Sequence, residues 1–133
     1  MDKRYYSISE ANSLLPQISK TMEALKRARE DIAIRRLYID RKKREQPSSD
    51  PDRFFTEETE IEFAVMAARQ QIDHLLSQSI EIKDIDTGLV DFLTVVNGEE
   101  AYLCWRSGEP EIRFWHGITD GYNHRKLLDE LQG

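Results

Sequence analysis

The side chains best equipped for chemistry lie in the C-terminal third of the chain: Trp105, Glu109, Trp115, His116 and Arg125. An imidazole that titrates near neutrality, a carboxylate, a guanidinium and two indoles could together hold a small anionic ligand or pass a proton. A second group is Asp91, Cys104 and Arg113. A thiol beside a guanidinium can carry a depressed pKa and act as a nucleophile or redox sensor. Plainer readings compete with both, because strand aromatics usually pack and Asp91 with Arg113 makes an ordinary cross-strand pair. Asp84, Asp86, Glu109, Glu111 and His116 offer further donor atoms, but their spacing matches no ligand pattern, so no metal and no cofactor is expected. Neither a His-Glu-x-x-His pattern nor a Gly-rich phosphate loop occurs. The reading therefore leans away from an enzyme.

These residues must be positioned by a sheet. After Ser79 the apolar periodicity changes from helical to alternating, and Asn97-Gly98 between residues 89–96 and 99–105 is a strong hairpin signal. With Asn97 and Gly98 as the loop, Val96 faces Glu99, Phe92 faces Leu103, Asp91 faces Cys104 and Val90 faces Trp105. Ser107-Gly108-Glu109-Pro110 then turns the chain into a strand over 111–116. For a turn of two or four residues, parity places Ile112, Phe114 and His116 on the face of Phe92, Leu103 and Trp105. A four-residue turn aligns Asp91, Cys104 and Arg113 in a row across three strands and sets Trp115 beside Tyr102. On this register the histidine points away from the cysteine, which then has no general base.

The N-terminal half reads as helix. Ser7-Ile8-Ser9-Glu10 has the spacing of a capping box, and Ala11, Leu15, Ile18, Met22, Leu25 and Ile32 follow at steps of three and four. Arg29 interrupts the stripe, and after Pro16 nothing breaks the helix before Gln46-Pro47. Residues 8–45 would form a rod about 55 Å long at 1.5 Å per residue. Residues 46–55 are the tip of a hairpin, and a second helix begins near Thr56 with Ile61, Val65, Ala68, Ile72 and Leu75 as its stripe. Residues 122–131 could form a short final helix.

The 133 residues suit one domain over 1–133, with a helical hairpin at 7–79, a β-meander at 80–116 and a C-terminal segment at 117–133. Net charge is −6, yet residues 1–46 carry +5 and the remainder −11. Arg35, Arg36 and Arg41 to Arg44 could bind phosphates, but the hairpin brings them beside Glu57 to Glu62, so nucleic acid is not the favoured partner. No segment is apolar enough to span a membrane, no signal-like run opens the sequence, and Cys104 is the only cysteine. A soluble cytoplasmic protein is expected.

The runs Gly88-Leu89-Val90-Asp91-Phe92 and Tyr102-Leu103-Cys104-Trp105-Arg106, followed by Gly108-Glu109, Ile112, Trp115-His116, Gly121 and Arg125, resemble the bacterial family catalogued as domain of unknown function 2203. Tyr6 to Pro16 is similar to that family's opening signature. Leu93 departs from it, since a proline often follows Asp-Phe there. The resemblance implies no catalytic activity. The expected fold is α+β: a long antiparallel helical hairpin packed on a small antiparallel sheet with a short C-terminal helix. The expected role is a protein-interaction or scaffold module, a homodimer of coiled-coil character, because the hairpin carries more apolar stripe than the sheet can cover. The alternative is a small anionic-ligand-binding protein or enzyme with a site around His116 and Trp115.

Overall fold

The computed structural model describes residues 2–128. Helix α1 runs Ile8–Glu45 and α2 Phe55–Ser77. Five strands follow: β1 Ile80–Asp84, β2 Leu89–Val96, β3 Glu99–Arg106, β4 Phe114–Gly117 and β5 Lys126–Leu127. They form one antiparallel sheet in chain order, so the fold is α+β.

α1 starts where its capping box places it. The Glu10 amide donates to Ser7 Oγ and the Ser7 amide to Glu10 Oε1, both at 3.0 Å. The helix continues through Pro16, and Ala11, Leu15, Ile18, Met22 and Leu25 are buried against the sheet. Beyond Leu25 the next fully buried residue of α1 is Ile39, so the distal part of the rod has α2 as its support. α2 begins at Phe55, and its N-cap is Phe54 with no side-chain cap, not Thr56. The turn at residues 51–54 runs straight into the helix, with the Phe55 amide donating to Asp52 O at 3.0 Å.

The core joins both helices to one face of the sheet through Leu75, Ile80, Val90, Phe92, Leu103 and Trp105. Tyr6 is sealed into it, edge-on to Phe92 at 5.6 Å. Its amide donates to Leu93 O and its hydroxyl to Gln78 O, which ties the entry of α1 to the α2–β1 junction. At that junction Ser79 has φ 63°, a left-handed position that ends the helix and redirects the chain into the sheet.

The β2–β3 register is the one the Asn97-Gly98 turn dictates, residue for residue. The β3–β4 register differs from expectation by one residue. Cys104 pairs with Phe114, Leu103 with Trp115 and Tyr102 with His116. The cause lies in residues 107–113, which do not form an even-numbered turn leading directly into strand. The Ile112 amide donates to Asn12 Oδ1 on α1 at 2.7 Å, so Ile112 enters the core from irregular backbone. The strand starts three residues later than expected, at Phe114. A one-residue slip exchanges faces. Phe114 and His116 therefore leave the core face, and Trp115 takes a place on it.

The expected C-terminal helix is a 3-10 turn, Tyr122–His124, followed by β5. The end of that expected helix, at residue 131, lies outside the described residues.

Candidate functional site

The register that moves His116 sets it among Asp91 and Cys104, on the face of the sheet opposite the helices. Asp91 on β2 and Cys104 on β3 are direct cross-strand partners, and His116 on β4 reaches them diagonally. Their residual exposures are 1%, 0% and 3%, an unusual degree of burial for a carboxylate and an imidazole.

Hydrogen bonding defines the imidazole. Nδ1 lies 2.8 Å from Gly117 O, and a carbonyl only accepts, so Nδ1 carries a proton. Nε2 lies 3.0 Å from Asp91 Oδ2. In the metal-free chain the carboxylate bond, reinforced by Cys104 and then Gly117 against the cost of burial, raises the His116 pKa from 6.5 to about 10. At neutral pH the imidazole is therefore held as an imidazolium. Asp91 Oδ1 is buried and finds no hydrogen-bond partner among the described residues. The Tyr102 ring stands 5.5 Å from the His116 ring, and burial raises its phenol pKa.

Sγ of Cys104, a carboxylate oxygen of Asp91 and a ring nitrogen of His116 all lie within 4.8 Å of one another. Arg113 is not with them. It is exposed, and its acidic partner among the described residues is Glu111 at 3.6 Å.

The five residues grouped around His116 by sequence divide into three. Glu109 receives Arg125 at 3.0 Å, its carboxylate accepts the Arg106 amide at 2.7 Å, and its carbonyl accepts the Trp105 indole N–H at 2.9 Å. Arg125 also stacks on Phe114, 3.8 Å from the ring centre, and donates to the Tyr122 hydroxyl. With its charge paired and its plane covered, Arg125 fastens the C-terminal segment to the sheet and does not present a free guanidinium to an anion. Trp115 packs against the core with a buried indole N–H that has no partner among the described residues. His116 alone joins Asp91 and Cys104.

Sequence reasoning placed Asp91 opposite Cys104 and missed the histidine. The parity of the connection decided this, and it depends on Asn12, a residue a hundred positions away. Asn12 belongs to the opening stretch, Tyr6 to Pro16, that resembles the family signature, but nothing in the sequence tied it to Ile112.

A second feature is the distal hairpin. Ile34, Leu37 and Tyr38 on α1 and Phe55, Phe63 and Met66 on α2 are 54–67% exposed. Beside them Arg35 bridges Asp31 and Glu60, and Lys43 meets Glu58 at 3.1 Å. These contacts pair the basic part of α1 with the acidic start of α2, as the charge split suggested. Among the described residues no helix is long and apolar enough to cross a membrane.

No curated protein and no solved structure matches the chain. Residues 4–128 of the 133 match the family described as "Uncharacterized conserved protein (DUF2203)", and the chain belongs to that family.

Proposed function

We propose that this protein is a non-enzymatic interaction module that self-associates through the distal half of its helical hairpin. The observation that carries the reading is the set of six large apolar side chains exposed beyond the reach of the sheet. The accessible area of 9141 Å² supports it. A compact monomer of 15.6 kDa would expose roughly 7,250 Å². The excess is larger than the roughly 800 Å² that each partner contributes to a stable interface.

Charge favours a second copy as the occupant. Arg36, Lys42 and Arg44 on α1, and Glu57 and Glu62 on α2, have no ion-pair partner among the described residues. A surface with both signs on adjacent antiparallel helices is self-complementary across a two-fold axis, which sets basic α1 of one copy against acidic α2 of the other. The same pairing offsets the basic run and weighs against a nucleic-acid role. A single buried free thiol suits a reducing compartment such as the cytoplasm.

Light scattering on the purified chain should give twice the single-chain mass at micromolar concentration. Leu37→Glu and Phe63→Glu should each shift the protein to single-chain mass without loss of helical circular dichroism. A strictly single-chain mass for the unmodified protein at several hundred micromolar would overturn the proposal.

A further inference from the structure

We propose that Asp91, Cys104 and His116 form a binding site for one divalent transition-metal ion of the zinc class. Cys104 supplies a thiolate Sγ, His116 its Nε2, and Asp91 its carboxylate oxygens.

Donor chemistry points to this class of ion. A thiolate excludes magnesium and calcium, which take oxygen, while a mixed sulfur, nitrogen and oxygen set suits a borderline ion such as Zn²⁺. Sγ, a ring nitrogen and a carboxylate oxygen already converge within 4.8 Å. Tetrahedral bonds of 2.0–2.3 Å place donor atoms about 3.3–3.7 Å apart, so side-chain adjustments of about 1 Å complete the site.

The surroundings of the three residues supply independent observations. His116 Nδ1–H is held by Gly117 O at 2.8 Å, which fixes the ring and leaves Nε2 as the nitrogen directed at Asp91. A backbone carbonyl holding the distal N–H is the usual outer-shell support of a metal-bound imidazole. Asp91 Oδ1 is buried without a partner among the described residues, and an ion between the three side chains would satisfy it. The alternative chemistry, a nucleophilic cysteine relayed through histidine to aspartate, needs one ring nitrogen on the cysteine and the other on the aspartate. Here one nitrogen is committed to the backbone, so the relay cannot form.

Charge also balances. Binding displaces the thiol proton of Cys104 and the Nε2 proton of the imidazolium, and both leave to solvent. The resulting thiolate, carboxylate and dication sum to zero, which suits a site whose residues are at least 97% buried. Tyr102 flanks the site beside His116.

The test uses the full chain, treated with a chelator and titrated with Co²⁺ as a spectroscopic stand-in for Zn²⁺. One equivalent should bind, with a near-ultraviolet thiolate-to-cobalt charge-transfer band that Zn²⁺ abolishes. Because Cys104 is the only thiol, the band reports on this site alone. Cys104→Ser should remove it, and Asp91→Asn and His116→Gln should weaken Co²⁺ binding at least tenfold. Binding without the band, or no binding at all, would overturn the proposal without recourse to a variant. So would unchanged Zn²⁺ affinity in a folded Cys104→Ser protein.

Discussion

The imidazole of His116 is held from two sides, by a backbone carbonyl and by a buried carboxylate. Removing either charged partner leaves the other stranded in the protein interior. Asp91→Ala or His116→Ala should therefore cost about 3–5 kcal/mol in the metal-free protein. The pH dependence follows from the direction of the shift. The folded pKa of about 10 lies above the unfolded value near 6.5, so the folded state holds the proton more tightly. The contribution is complete below about pH 6.5 and declines as pH rises through 10. Other ionisable groups around the imidazole are Asp91 on β2, Cys104 and Tyr102 on β3, Glu81 and Lys83 on β1 beside Asp91 and Tyr102, and Arg125 of the C-terminal segment. Denaturant titrations of the chelated protein between pH 6 and 10 should show stability falling with pH, and His116→Gln should flatten that slope. A slope unchanged by His116→Gln would refute the assignment. At this scale the sequence was partly legible. Asn97-Gly98 sets Asp91 opposite Cys104 through local turn geometry, whereas the place of His116 depends on the odd-numbered path through residues 107–113.

The elements divide in the same way. α1 and the β2–β3 hairpin are written in short-range signals, a capping box and a two-residue turn whose bonds close within three positions. β4 is four residues long and begins only after Ile112 has docked on Asn12, so no local pattern marks its first residue. The final segment forms a 3-10 turn and a two-residue strand because Arg125 is pinned to Glu109 and Phe114, which holds the backbone extended where a helix was expected. The β1–β2 turn has its own requirement. Gly88 has φ +68°, and a Cβ there would lie 1.7 Å from Ser107 Oγ and 2.5 Å from Ser107 Cβ. Its carbonyl accepts the Ser107 amide at 3.0 Å, so the backbone cannot readily retreat. Gly88→Ala should destabilise the protein by about 1–3 kcal/mol, read as a fall in denaturant midpoint. A midpoint within error of the parent would show that the turn can shift at little cost.

Across the whole molecule, stability is graded along the hairpin. Between Leu25 and Ile39 no residue of α1 is fully buried, while the sheet-covered half buries five at regular spacing. Amide hydrogen exchange in the single-chain Leu37→Glu variant should therefore be faster over residues 30–62 than over 11–25. The unmodified protein should regain protection in the distal part as concentration rises. Equal protection along the whole of α1 in the variant would mean that α2 alone supports the distal rod. The charge division between the two halves of the chain is legible at this scale and maps onto Arg35–Glu60 and Lys43–Glu58. The partner of the exposed face is not legible in the same way, since apolar exposure signals an interface without specifying what covers it.

The bond from Ile112 to Asn12 also bears on how the chain emerges from the ribosome. Synthesis at roughly 5–20 residues per second delivers both helices seconds before β4 exists. Until Ile112 arrives, the nascent hairpin presents Ala11, Leu15, Ile18, Met22 and Leu25 without the completed sheet that later covers them. The exposure of this apolar face is thus transient. It belongs to the half-made chain, and chaperone engagement is most needed in the interval between translation of the second helix and translation of the fourth strand.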